Sequence, residues 1–241
     1  MIPELIALAK QFHLGVLYQG HFHTDRDGLS NEEYLLEVFR AEAGRREKRK
    51  RAERAKQARL PTYKGFEDFD THFQTGVTPE QLDTLKKLEW VDQAFNLVLI
   101  GPPGTGKTHI ALAIANKAVT DGYKVFFATM DSMMHILKTQ EISTKSAARV
   151  RWIHKCDLVI IDEVGYLPIS KTEANLFFSL ISQLYEFASA LITSNKGFSG
   201  WAELLGDAVL ATALLDRLTH KCQVLELSGE GWRLANRKNI F

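Results

Sequence analysis

The segment Gly101–Thr108, GPPGTGKT, matches the G-x-x-x-x-G-K-[ST] pattern of a phosphate-binding loop. Successive backbone N–H groups in such a glycine-rich turn, together with the positive end of the following helix, form a concave site for an anion. Lys107 adds a full charge toward the β- and γ-phosphates, and the Thr108 hydroxyl can ligate Mg²⁺. We therefore expect a nucleoside triphosphate to bind to Gly101, Pro102, Pro103, Gly104, Thr105, Gly106, Lys107 and Thr108.

Two adjacent carboxylates follow an apolar stretch further along the chain, in the segment LVIIDE at residues 158–163. Ligands of parallel sheets gather at the carboxyl ends of the strands, so Asp162 would meet the metal ion beside Thr108. Glu163 could then polarise the attacking water. The alternative interpretation is an ordinary exit from a strand into an acidic loop.

A third polar strand end is the segment TSN at residues 193–195. Its Asn195 could orient water or contact the γ-phosphate. Because such residues are also common in turns, only the two upstream motifs favour the functional interpretation.

Apolar stretches of strand length alternate with segments of helical periodicity around these motifs. The phosphate loop itself lies between an apolar stretch and the helical segment His109–Ala118, as its chemistry requires. This alternation predicts an α/β fold with a parallel sheet covered by helices on both faces. The five predicted strands are residues 97–100, 124–129, 157–162, 190–193 and 223–227.

The region before the phosphate loop is predicted to be separate from the nucleotide-binding domain. Residues 1–60 form a small helical region, in which Ser30 and Glu33 have the spacing of a capping box at a helix start. Pro61 marks a break, and residues 61–241 form the nucleotide domain. The aromatic segment Phe66–Phe69 either borders the adenine or is a packing linker.

The net charge of +1 conceals a strongly basic stretch, Arg45–Arg59, whose nine basic and two acidic residues sum to +7 and leave −6 on the rest of the chain. A localised basic stretch beside an acidic body suggests a polyanionic partner such as DNA. A second basic set follows at residues 145–155. A solvated charged helix, or surface solubility, is the competing interpretation of each set. The DNA-binding candidates are Arg45, Arg46, Lys48, Arg49, Lys50, Arg51, Arg54, Lys145, Arg149 and Arg151.

The remaining composition argues against several other classes of protein. Two cysteines, Cys156 and Cys222, are too few for a disulfide framework or a zinc site, and we expect both in the core of a protein from a reducing, cytoplasmic compartment. His21 and His23 lack further ligands at suitable spacing, which favours a solvated turn over a metal site. No apolar run approaches the length of a membrane span.

Five segments together resemble the IstB-like ATPases, the AAA+ helper proteins of insertion-sequence transposons, which are relatives of bacterial replicative-helicase loaders. The segments are GPPGTGKTH, IIDEVGYLP, LITSNKGFSGW, LLDRLTH and GEGWRL, and they lie between Pro61 and Leu234. Each alone is shared with other AAA+ proteins, whereas their order and LLDRLTH are more specific.

The resemblance implies roles for two residues, Asn195 and Arg217. It makes Asn195 the sensor residue, on a strand between the two motif-bearing strands, and Arg217 an arginine finger that reaches the nucleotide of a neighbouring subunit. Only residues 228–241 follow the last predicted strand, so no complete C-terminal lid can fit. Any role of Arg233 at the nucleotide stays open.

The resulting prediction is a Mg²⁺-dependent ATPase that forms a homo-oligomer on duplex DNA and assists a transposase in target selection and transposition. ATP and Mg²⁺ are the expected cofactors, and Glu163, Asn195 and Arg217 the expected catalytic residues. One alternative is a helicase loader that binds a replicative helicase and single-stranded DNA. Another is a nucleotide-switched scaffold that binds a protein partner with little turnover.

Overall fold

In the computed structural model, which describes residues 3–18, 28–71, 76–229 and 231–232, the predicted strands form one sheet with the order β2-β3-β4-β1-β5. All neighbouring strands run parallel, which confirms the predicted α/β fold. Because β4 lies between β3 and β1, the carboxyl ends of the three motif-bearing strands are adjacent. The strands are β1 (Asn96–Ile100), β2 (Val125–Thr129), β3 (Leu158–Val164), β4 (Ser189–Ser194) and β5 (Cys222–Glu226).

The described residues divide into two compact units, Met1–Glu53 and Arg54–Phe241, and the long helix α3 supplies residues to both. The helices that begin before residue 54 are α1 (Pro3–Gln11), α2 (Gly15–Tyr18) and α3 (Asn31–Ala58). The others are α4 (Pro79–Lys87), α5 (Glu89–Asp92), α6 (Lys107–Asp121), α7 (Met130–Lys138), α8 (Thr144–Ile153), α9 (Lys171–Leu184), α10 (Trp201–Leu205) and α11 (Ala208–Thr219).

Two apolar clusters cover the two faces of the sheet. Alternate residues of β1 point to opposite faces, so Val98 joins one cluster whereas Leu97 and Leu99 join the other. Helix α6 packs with Leu97 and Leu99, and helices α7, α9, α10 and α11 pack on the opposite face. Burial of both faces explains why the strands read as continuous apolar stretches.

The two cysteines differ in burial. Cys156 lies in the core, and burial raises the pKa of its thiol to about 12. Cys222 is only partly buried at the edge of the same cluster, where burial raises its pKa to about 11. The prediction that both are core residues is therefore wrong for Cys222, because β5 is the last strand of the sheet and is covered less completely.

The smaller unit is organised around one buried carboxylate on α3. The predicted capping box begins this helix, since Ser30 and Glu33 exchange backbone-to-side-chain hydrogen bonds of 2.7 and 3.2 Å. Further along this helix, Glu42 is 3% exposed and accepts a hydrogen bond from the Val16 N–H. It also accepts from the guanidinium groups of Arg45 and Arg46, at distances of 2.7 to 3.0 Å.

No helix in the described ranges combines the length and the apolar character needed to cross a membrane.

Replacing Glu42 by Gln is expected to destabilise the smaller unit by about 2–3 kcal/mol, because it leaves two guanidinium groups without their buried counter-charge. Hydrogen bonds from Arg45, Val16 and Arg46 hold the pKa of Glu42 at about 2, against an ordinary value of 4.5. A lowered pKa stabilises the fold above about pH 4.5, and this contribution is lost as the pH falls toward about 2. Urea unfolding, followed by helical circular dichroism between pH 7 and 3, measures the difference.

The matched control for this substitution is Glu37→Gln on the same helix. Glu37 pairs with Arg40 at the surface, where the two side chains are 46% and 67% exposed. Such a pair contributes at most about 1 kcal/mol. Equal effects of the two substitutions would contradict the assignment of Glu42 as the organising charge.

Candidate nucleotide site

The phosphate loop connects the carboxyl end of β1 to the first turn of α6. Gly104 and Gly106 have φ angles of +86° and +94°, in the region that favours glycine. A Cβ on Gly106 would also lie 2.6 Å from Cε2 of Phe69, so the position requires glycine on steric grounds as well. The buried Thr105 hydroxyl donates to the Pro102 carbonyl at 2.9 Å and closes the turn.

Lys107 is the first residue of α6, and its ammonium group reaches back over the loop. Nζ donates hydrogen bonds to the carbonyl oxygens of Gly101 and Pro102, at 2.7 and 2.8 Å. Positive charge, the N-terminus of a 15-residue helix and the glycine turn therefore coincide in space. This combination suits the phosphates of a nucleotide.

The metal end of the candidate site joins two segments that are 54 residues apart in the sequence. Thr108 Oγ1 donates to Asp162 with distances of 3.0 and 3.1 Å to Oδ1 and Oδ2. Asp162 is 3% exposed. A hydroxyl beside a carboxylate is an oxygen donor set that fits Mg²⁺, whose remaining ligands would be phosphate oxygens and water.

The two acids of β3 point in different directions because the strand is irregular there. The register of β3 against β4 shifts between Ile161 and Val164, so Asp162 and Glu163 together oppose Thr193. Glu163 has φ +64°, a left-handed conformation that costs a non-glycine residue about 1–2 kcal/mol. As a result Asp162 is buried against Thr108, whereas Glu163 is exposed.

Thr193 contacts both acids, and it is not among the site residues predicted from the sequence. Its hydroxyl donates to Asp162 Oδ1 at 2.5 Å and accepts from the Glu163 N–H at 2.9 Å. A signal was available in the sequence: Thr193 is a polar residue at the end of an apolar strand, two residues before Asn195.

Asn195 lies beside the turn that follows the two acids. A Cβ on Gly165 would approach Asn195 Oδ1 to 3.4 Å, which places this side chain next to the residue two positions after Glu163. Asn195 is exposed just beyond the end of β4. Its position at this edge is compatible with the predicted role as a sensor, which stays a prediction.

Arg217 lies in the last turn of α11. Its neighbour Leu218 accepts a hydrogen bond of 2.8 Å from Asn96 Nδ2, at the amino end of β1. The phosphate loop begins at the other end of β1. A strand of five residues is about 16 Å long, so this length separates Asn96 from the start of the loop. The Arg217 guanidinium lies 4.8 Å from the ring centre of Phe178 on α9 and donates to the Ala213 carbonyl at 3.0 Å.

A cavity of about 420 Å³ adjoins the phosphate loop, a volume typical of small-molecule sites. Phe69 lines it and meets the His109 ring edge to face, with centroids 5.4 Å apart. Trp232 also lines the cavity, and its backbone N–H donates to the Gly104 carbonyl at 3.1 Å. Phe66 and Phe69 both pack against the core, but Phe66 does not line the cavity, so only part of the segment Phe66–Phe69 faces the space beside the loop.

A second, more open cleft of about 650 Å³ lies between the end of α3 and α8. Arg149 and Arg59 are close enough that burial and the charge of Arg59 lower the pKa of the Arg149 guanidinium. None of the described residues that line this cleft carries a carboxylate. We call it the basic cleft; its lining cations are Lys56, Arg59, Lys145, Arg149, Arg151 and Lys155.

The other basic candidates are distributed along α3. Arg45 and Arg46 share the carboxylate of Glu42, and Arg49 pairs with Glu53 at 3.1 Å. Lys48, Lys50 and Arg51 are exposed, and Arg54 is half-buried.

The remaining sequence predictions lie outside the described residues or find no cluster within them. His21, His23, Arg233 and most of the segment after β5 are not among the described residues, so the predictions about the histidine turn and the lid stay predictions. Across the part of the chain that is described, no group of three or more His, Cys, Asp and Glu side chains could hold a metal ion.

Comparisons with known proteins agree with this architecture. The family model "IstB-like ATP binding protein" matches residues 13–240. An IS21 insertion-sequence ATP-binding protein of Pseudomonas aeruginosa is 40% identical over 210 residues, which cover 87% of this chain and 79% of the relative. An IS21-like insertion-sequence ATP-binding protein of Bacteroides fragilis is 35% identical over 229 residues, which cover 95% of this chain and 86% of the relative.

Among solved structures, that of DnaI superposes with a TM-score of 0.57 at 18% identity, over 72% of this chain and 94% of that chain. At this identity the likeness concerns the fold alone, and it agrees with the expected AAA+ P-loop fold.

Replacing Lys107 by Ala is expected to weaken the binding of a fluorescent ATP analogue by about 10- to 100-fold, since a hydrogen bond to a charged group contributes about 1.5–3 kcal/mol. Lys117→Ala is the matched control, because Lys117 lies on the same helix but pairs with Asp121 at the surface. Titration by fluorescence anisotropy measures both variants. An unchanged affinity of the Lys107 variant would remove the loop from the nucleotide site.

Proposed function

The chain belongs to the family of IstB-like ATP-binding proteins, and from this premise we propose that it is a Mg²⁺-dependent ATPase that assembles on duplex DNA and assists a transposase in target selection. The observation that carries the ATPase proposal is the convergence of the phosphate loop, Thr108 and Asp162, with Glu163 exposed beside them. The names of the relatives, which are insertion-sequence proteins, support the link to transposition.

In the proposed reaction the phosphate loop and Lys107 would bind the triphosphate, and Thr108 and Asp162 would hold Mg²⁺, which would neutralise charge on the phosphates. Glu163 acts as the general base that takes a proton from the attacking water. Asn195 orients that water or contacts the γ-phosphate. Each of these side chains comes from the carboxyl edge of the sheet or from the first turn of α6.

Arg217 acts on the nucleotide of a neighbouring subunit in this proposal. Its neighbour Leu218 contacts the amino end of β1, whereas the phosphate loop of the same subunit follows the carboxyl end, and this separation supports action between subunits rather than within one. An arginine supplied in this way stabilises the charge that develops on the γ-phosphate and accelerates hydrolysis by about 10³–10⁵ in well-studied enzymes. Hydrolysis then depends on assembly.

A mixing experiment tests the base and the finger together. Glu163→Gln and Arg217→Ala are each expected to bind ATP and to lose at least about 100-fold in phosphate release. In an equal mixture, subunits of the Glu163→Gln variant still carry Arg217, and subunits of the Arg217→Ala variant still carry Glu163. A site between one subunit of each kind can therefore contain both residues. If subunits associate at random in a head-to-tail contact, the mixture regains about a quarter of the wild-type rate.

The outcomes separate the candidate functions. Full activity of the Arg217 variant places the finger elsewhere, and no recovery on mixing contradicts action between subunits. Full activity of Glu163→Gln contradicts the base. A wild-type chain that binds ATP without phosphate release, with DNA or without, favours the nucleotide-switched scaffold.

The basic cleft is the proposed DNA-binding surface. Its lining residues bring the end of the first basic set together with the second, and none of the described residues that line it is acidic. Arg45 and Arg46 contribute less in this proposal, because Glu42 already neutralises part of their charge. Contacts to phosphates would position the protein on DNA without reading the sequence.

The triple variant Lys145→Ala, Arg149→Ala, Arg151→Ala is expected to weaken duplex binding at every sequence tested. The slope of log affinity against log salt concentration, which is negative, should become less steep by about 2–3. Each lost phosphate contact removes close to one released counterion. Fluorescence anisotropy with duplex and single-stranded DNA of equal length, with ATP and without, measures both quantities.

The control triple variant, Lys86→Ala, Lys117→Ala, Lys138→Ala, removes the same charge from side chains that lie outside the basic cleft and each pair with an acid. An equal loss in both triple variants would mean that net charge alone explains binding. A clear preference of the wild-type chain for single strands would instead favour the helicase-loader alternative.

A further inference from the structure

The hydroxyl of Thr193 is a shared contact of the two acids of β3. It is 1% exposed, donates to Asp162 Oδ1 and accepts from the backbone N–H of Glu163. A threonine hydroxyl has one hydrogen to donate and lone pairs to accept, so both bonds form at once. Asp162 thereby receives hydrogen bonds from two hydroxyls, those of Thr108 and Thr193.

These bonds lie at the point where the ladder between β3 and β4 is interrupted. Two residues of β3 oppose the single residue Thr193, so the Glu163 N–H meets a side-chain oxygen instead of a strand carbonyl. Glu163 also has a positive φ, which an L residue adopts only when its surroundings hold it there. The Thr193 hydroxyl provides such a restraint directly.

We propose that Thr193 is a positioning residue for hydrolysis: its hydroxyl fixes the Asp162 carboxylate for the metal and the Glu163 backbone for the base. This inference rests on the proposed function, since it assigns Thr193 a role only if Glu163 and Asp162 act in hydrolysis. Thr193 acts through the two acids and not on the nucleotide. It should therefore affect turnover far more than ATP binding.

The test replaces the hydroxyl while it keeps the shape of the side chain. Thr193→Val is expected to lower kcat by about 10- to 100-fold, because a small misplacement of a reacting group has an effect of this size. ATP affinity and KM should change by less than about threefold, since the phosphate loop is intact. Thr193→Ser keeps the hydroxyl and should retain turnover within about threefold of the wild type.

A structural measurement accompanies the kinetics. Amide hydrogen exchange of the nucleotide-free protein should be faster at Glu163 in Thr193→Val than in the wild type or in Thr193→Ser, because the N–H loses its acceptor. Thr193→Ala is a second variant without the hydroxyl, for use if valine destabilises the sheet, and it should behave as Thr193→Val does. Thr84→Val is the control, since the exposed Thr84 hydroxyl donates to the Glu80 carbonyl within α4.

Three results would overturn the inference. They are a Thr193→Val variant that hydrolyses ATP within twofold of the wild type, a Thr193→Ser variant as inactive as Thr193→Val, and a loss of ATP affinity that matches the loss of kcat. Failure of the proposed function is recognised separately. If Glu163→Gln hydrolyses ATP normally, the catalytic assignment itself is wrong, whereas an inactive Glu163→Gln beside an active Thr193→Val contradicts only the role of Thr193.

Discussion

The hydrogen-bonded carboxylate of Asp162 is the interaction on which the candidate site depends. A buried charge is costly unless hydrogen bonds or a counter-charge compensate it, and here the hydroxyls of Thr108 and Thr193 donate to it. These three residues belong to α6, β3 and β4. A single buried carboxylate therefore connects the helix after the phosphate loop with the two strands that carry the other polar side chains. A metal ion bound there would add the positive charge that the hydroxyls lack.

The sequence was sufficient for the features that depend on local patterns. The phosphate loop follows from its spacing, and the five strands follow from apolar stretches that alternate with helical segments, because both faces of a parallel sheet are buried. What it did not reveal depends on pairing between distant residues. The register shift that places Asp162 and Glu163 opposite Thr193 is set by the contact of two strands about 30 residues apart, and no local pattern encodes it.

The basic residues show the same limit of prediction from the sequence, here for the electrostatic environment of each side chain. A count of charges treats Arg45 and Arg149 alike, yet Arg45 lies against the carboxylate of Glu42 whereas Arg149 shares a cleft with Arg59. The sequence separates Arg59 and Arg149 by some 90 positions, and only the fold of the larger unit brings them together. A basic side chain that is already paired with an acid of the same chain attracts a polyanion only weakly. The positions of the acids therefore decide which part of a basic stretch can bind a polyanion.

The placement of Arg217 links the chemistry to assembly. The phosphate loop follows the carboxyl end of β1, whereas Leu218, next to Arg217, contacts the amino end of that strand, and this arrangement favours action of Arg217 on a neighbouring subunit. If Arg217 completes the site, the contact must be head to tail, with the amino edge of one sheet near the carboxyl edge of the next. Such a contact does not use the same surface on both subunits, and it extends into a ring or a filament. A DNA surface common to successive subunits would raise their local concentration, so DNA binding would promote hydrolysis without touching the nucleotide.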